Sequence, residues 1–134
     1  MTLELGKVSF VTATKTKEYL DYLEKGKLAG TKCKSCGALH FPPRADCDQC
    51  MSSDVEWMDM ESKGKIVTYT TIHVGPTGFE DVVPYTICMV ELEGGGRLLG
   101  WLDEAKEEDI SVGQDVSVVL KELEGDRVIY AIRL

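Results

Sequence analysis

The sequence predicts a mainly β protein: a short N-terminal helix, a four-cysteine metal ribbon, and a five-stranded barrel of the OB type. Three observations carry that expectation. Two C-x-x-C pairs stand ten residues apart in "CKSCGALHFPPRADCDQC". From Lys63 onward the chain becomes a succession of β-branched segments divided by glycine-rich turns. One longer connection, "DEAKEEDISVGQ", separates the third of those segments from the fourth, where an OB barrel carries a loop or short helix.

The elements follow in order. "LELGKVSFVTAT" reads as an extended or irregular arm. In "KTKEYLDYLEK", residues 15–25, Tyr19, Leu20, Tyr22 and Leu23 make an apolar stripe on a short helix, with Gly26 as its stop. Such a stripe serves either the chain's own core or a docked partner. The cysteine segment spans residues 28–57, and Pro42 and Pro43 in its linker forbid a helix and favour an extended crossing. "VEWMDM" alternates as a strand covered on one face. Five barrel strands are expected: "GKIVTYTTIHV", "PYTICMVEL", "RLLGWL", "DVSVVLKEL" and "RVIYAIRL". An SH3-like barrel or a simple meander shares much of this pattern, and OB topology is the expectation. The division expected is an arm and helix over 1–27, the ribbon over 28–60 and the barrel over 61–134.

Cys33, Cys36, Cys47 and Cys50 have the pattern of a tetrahedral zinc site. Thiolate is soft, negative and directional, and about 30 residues bury too little apolar surface to fold without a cross-link. Iron uses the same ligand set, so the spacing does not separate the two metals. Four sulfurs close the shell, which assigns the metal a structural use. His40 lies between the pairs and is expected to pack or hydrogen-bond rather than ligate.

No catalytic residue is expected. His73 ends the first barrel strand without a nucleophile in a recognisable setting, and Cys88 sits in an apolar strand with no cation to lower its pKa. "GGG" at 94–96 lacks the strand–loop–helix context of a phosphate cradle and reads as a hairpin turn. Arg44, held between prolines and metal, and Arg97 are the cations to consider for an anionic ligand.

Fifteen basic against twenty-three acidic residues give a net charge of −8, which argues against nucleic acid as a partner. No apolar run approaches the roughly 20 residues of a membrane span, and the start "MTLELGKVSF" lacks a secretory layout. The cytoplasm is the compartment expected, and it keeps paired cysteines reduced and free for metal.

The chain resembles the OB-fold acyl-CoA-associated proteins, in which a rubredoxin-like zinc ribbon precedes an OB-fold. The resemblance rests on C-x-x-C-G-x-x-x-F-P-P-R, matched by Cys33, Cys36, Gly37, Phe41, Pro42, Pro43 and Arg44, and on Gly78, Phe79, Pro84 and Tyr85. It departs where the family ribbon ends in C-P-x-C-G, since Asp48 and Met51 take the proline and glycine places. The resemblance implies a non-catalytic accessory or scaffold subunit. Its partner would be a thiolase-fold enzyme, acetoacetyl-CoA thiolase and/or HMG-CoA synthase, and acyl-CoA or CoA would be a shared ligand. Phe41, Pro43, Arg44 and Arg97 are the expected contact residues. A nucleic-acid-binding ribbon–OB module and a free-standing acyl-CoA enzyme are the alternatives.

Overall fold

A computed structural model describes residues 4–7 and 17–134. Apart from residues 4–7, the arm expected over "LELGKVSFVTAT" lies outside the described residues. The elements are β1 (Glu4–Leu5), α1 (Glu18–Glu24), β2 (Ala29–Cys33), β3 (Leu39–His40), β4 (Val55–Asp59), β5 (Lys63–Ile72), β6 (Tyr85–Leu92), β7 (Arg97–Leu102), a 3-10 turn over Glu107–Asp109, β8 (Asp115–Leu123) and β9 (Arg127–Arg133).

The five barrel strands all form where the β-branched segments stand. β5 pairs β6, β6 pairs β7, β7 pairs β9, β9 pairs β8, and β8 returns to β5, so the ring closes. β7 and β9 run parallel, with Trp101 opposite Ala131, while the other pairs of the ring are antiparallel. A meander would have paired β7 with β8 instead. The skip, made possible by the long connection, is the OB order. β1 adds a short parallel pairing to β9 through Glu4–Arg127 and Leu5–Val128.

Alternation decides which residues fill the barrel. Ile66, Cys88, Val90, Leu98, Val116, Val118 and Ile132 are buried there, each aliphatic side chain worth about 1.5–3 kcal/mol on leaving water. A bulge between Ile66 and Thr68 reverses the parity of β5: Ile66 opposes buried Val90, yet Thr68 opposes Met89, and Tyr69 rather than Thr68 turns toward the core.

The ribbon is a separate antiparallel sheet in the order β3-β2-β4. Two contacts seat it on the barrel. Phe41 lies over the hairpin between β6 and β7, so close that a Cβ added at Gly96 would stand 2.7 Å from the Phe41 Cβ. On the other side, α1 buries Tyr19 and Leu23. The Tyr22 ring stacks on Trp57 of β4 at 5.5 Å, and the Tyr19 hydroxyl shares a short hydrogen bond with that of Tyr130 on β9. The helical stripe thus serves the chain's own core. Desolvation, with Tyr130 alongside, raises the Tyr19 phenol well above its ordinary pKa, so both hydroxyls stay neutral.

Candidate metal centre and contact residues

Two knuckles of the same design bring the four cysteines together. In the first, the Gly37 N–H donates to the Cys33 carbonyl (2.9 Å) and the Cys33 N–H to that of Ala38 (2.8 Å). In the second, the Met51 N–H donates to the Cys47 carbonyl (3.0 Å) and the Cys47 N–H to that of Ser52 (2.8 Å). Closing such a turn requires a left-handed residue, and Gly37 supplies it at φ 79°. Met51 supplies the equivalent at φ 65°, with its side chain 81% exposed. The turn shape survives the loss of the glycine because nothing crowds the methionine, at the cost of about 1 kcal/mol of backbone strain.

All four Sγ atoms lie within 4.8 Å of one another. Cys33 and Cys50 are 3.5 Å apart, and Cys36 and Cys47 3.6 Å. A tetrahedron with metal–sulfur bonds of about 2.3 Å has edges of about 3.8 Å, so the cluster fits zinc with little movement. The sulfurs are free thiols, too far apart to be disulfides.

Their electrostatics point the same way. The Cys36 N–H, followed by smaller hydrogen bonds that include the Cys50 thiol, draws Cys33 down to about 6. The Ser52 N–H also draws Cys50 down, but the Cys33 sulfur and desolvation outweigh it and push that thiol up to about 12. Cys33 is therefore the readiest of these to ionise, while the Cys36 and Cys50 thiols are held protonated to higher pH. A cation at the centre removes the repulsion that keeps them protonated.

His40 is not part of the tetrahedral set. It is buried, with Nδ1 3.6 Å from an Asp48 carboxylate oxygen. Asp48, the residue standing in the proline place, thereby links the second knuckle to β3.

The four expected contact residues separate. Phe41, expected as a contact residue, is 7% exposed and packed on Gly96, where it holds ribbon to barrel. Pro43 is half-buried and Arg44 exposed. Thr31, wholly buried, pins the backbone at Arg44: its hydroxyl donates to the Arg44 carbonyl at 2.8 Å and accepts from the Arg44 N–H at 3.0 Å. Among the described residues the Arg44 guanidinium has no partner, and it lines a surface cleft with Glu18, Asp46, Ser53 and Trp57. Arg97 is met across the strands by Glu91 at 3.2 Å and does not line that cleft. Sequence reasoning missed Thr31, since nothing local distinguishes a strand threonine that fastens a distant loop.

His73 and Cys88 stay apart. Cys88 opposes Tyr69 and is wholly buried, and desolvation pushes its thiol up to about 11. His73 follows Ile72, which opposes Tyr85, and is exposed. Four positions of strand, about 13 Å, separate them along the ladder.

Residues 21–56 match the family model described as ChsH2, rubredoxin-like zinc ribbon domain, and residues 57–121 match ChsH2, C-terminal OB-fold domain. Over 104 residues the chain is 38% identical to a DUF35 domain-containing scaffold protein of Methanocaldococcus jannaschii, a match spanning 77% of this chain and 74% of that one. It is 28% identical over 78 residues to the benzoylsuccinyl-CoA thiolase subunit BbsA of Thauera aromatica, covering 58% of this chain and 53% of BbsA. Among solved structures, "Ltp2-ChsH2(DUF35) aldolase" shares the fold with a TM-score of 0.77 at 24% identity, over 94% of this chain and 98% of that one.

Proposed function

The chain belongs to the family of DUF35 scaffold proteins, with a zinc ribbon ahead of an OB-fold, and on that premise we propose that it is a non-catalytic accessory subunit of an acyl-CoA enzyme complex. The observation that carries this reading is the similarity, along 77% of the chain, to a protein named as a scaffold. BbsA, named as a thiolase subunit, points to the kind of assembly. The geometry agrees, because among the described residues the buried Cys88 has no base within reach and the four grouped sulfurs leave a bound metal no open position.

In this reading Cys33, Cys36, Cys47 and Cys50 hold zinc, which when bound supplies a cross-link that the ribbon's small core cannot. The partner is a thiolase-fold enzyme, acetoacetyl-CoA thiolase and/or HMG-CoA synthase, and the two chains share an acyl-CoA in the cytoplasm. Residues 28–60 act as the ribbon and 61–134 as the barrel, after the arm and helix of 1–27. Pro43, Arg44 and Arg97 face the partner or the CoA phosphates. Of these, Arg44 is the strongest candidate because among the described residues its guanidinium has no partner, and its backbone is fixed by Thr31.

The test is purification of the intact protein from its source, with mass spectrometry of what is retained and metal analysis of the complex. A thiolase-fold enzyme and about one zinc per chain are expected. A chain that stays alone, and binds no CoA thioester with or without such an enzyme, overturns the reading. Arg44→Ala should weaken CoA-thioester binding or assembly while zinc content stays unchanged.

A further inference from the structure

β6 and β7 are apolar on both faces, which a barrel needs on one face only. Alternation sends Cys88, Val90 and Leu98 inward. The residues between them form rows on the outside: Met89 opposes Leu99, and Ile87 opposes Trp101. Tyr85 continues the face, stacked on Trp101 at 4.9 Å, and Phe79 folds over from the preceding loop to within 5.8 Å of both rings. Leu99, at the centre of this surface, is 51% exposed. An antiparallel sheet with a solvated outer face should carry polar residues there, as β5 does with Thr68 and Thr70 on the flank. A contiguous apolar patch with an aromatic trio has the composition of an interface centre.

We propose that this outer face of β6 and β7 is the docking surface for the catalytic subunit, and that the partner meets it with an apolar patch rimmed by lysine and arginine. The proposal rests on the accessory-subunit reading and adds the face and its chemistry. Charge selects the occupant. Glu80 adjoins Phe79, and Glu107 and Glu108 share a cleft with Tyr85 that also holds Lys106 and His73, so exposed acids outnumber the lysine at the aromatic end. With a net charge of −8 on each chain, a second copy would add to this repulsion, whereas a basic rim relieves it. Arg44 lies on the ribbon, outside this patch, so contacts there and here are separable.

The experiment uses the intact, zinc-loaded protein and the thiolase-fold enzyme retained in the purification above. Leu99→Glu places a charge on an exposed outer position and leaves the barrel interior untouched. Its circular dichroism and zinc content should equal those of the unmodified chain, while its affinity for the enzyme falls at least about thirty-fold. The affinity of the unmodified pair should also fall with rising salt. A photo-crosslinker at position 99 should join an enzyme peptide containing apolar residues beside lysine or arginine. Failure of the unmodified chain to bind any such enzyme sinks the accessory reading and this proposal with it. Retention of full affinity by Leu99→Glu sinks the docking face alone. Crosslinking of position 99 to a second copy, or to another segment of the same chain, would mean that the chain covers its own face, and either result overturns the proposal.

Discussion

Gly96→Ala should partly detach the ribbon from the barrel, and the size of the effect can be worked from two glycines. Gly96 has φ 84°, and a Cβ there would lie 2.7 Å from the Phe41 Cβ and 3.1 Å from the Phe41 carbonyl oxygen. Gly113 has φ 89° and nothing within 4 Å of the same added atom. Both substitutions incur the strain of a left-handed alanine, about 1–2 kcal/mol. Only Gly96→Ala also forces a backbone contact apart, which in close-packed interiors costs about 1–3 kcal/mol more. The expected losses are therefore about 2–5 kcal/mol at Gly96 and about 1–2 at Gly113. For a chain of 134 residues each kcal/mol moves Tm by about 3–4 °C. Calorimetry of the zinc-saturated proteins reads the difference, and an increase in solvent access at Trp57 reports the loosened ribbon. Equal losses at the two positions would refute the argument, because the seat of Phe41 on the hairpin would then carry no energy.

Three further outcomes are expected. Cys47→Ser should lose zinc and, with it, the ordered ribbon, seen as lost metal by elemental analysis and a proteolytic cut near residues 33–50 while the barrel resists. Met51→Gly should raise stability by about 0.5–1 kcal/mol in urea titration, since it removes a left-handed methionine whose side chain touches little. Asp103 receives Lys121 at 2.9 Å and Arg133 at 3.0 Å, and these, Lys121 foremost, hold its carboxyl below the ordinary 3.8. A depressed folded pKa contributes stability above the unfolded value and loses it as pH falls through the folded one. Asp103→Asn should thus cost about 1 kcal/mol at pH 7, and the gap to the unmodified protein should narrow below about pH 4.

Much of the molecule was legible because its signals are local. Cysteine spacing depends only on the reach of two tight turns, so the four ligand candidates could be read directly. The barrel strands were legible because β-branched alternation and glycine turns act over a few residues. The setting of Cys88 in an apolar strand was legible for the same reason. Other features depend on contacts between segments far apart in the chain. Phe41 belongs to the motif that carries expected contact residues, yet it faces inward because the ribbon folds back onto Gly96, 55 positions later. The apolar outer face of β6 and β7 was half visible, since "YTICMVEL" and "RLLGWL" carry apolar residues at both parities. Which parity faces out follows from the register of the closed ring and the bulge in β5.

The sequence by itself thus determined the β class and the paired knuckles, both matters of residue type and near spacing. Only the tertiary structure decided that α1 serves its own core through Tyr130, that Thr31 fixes Arg44 and that Phe41 is withdrawn from the surface. Each of those turns on which distant segments meet, and docking of the ribbon and helix on a closed barrel sets that meeting in ways that no local pattern encodes.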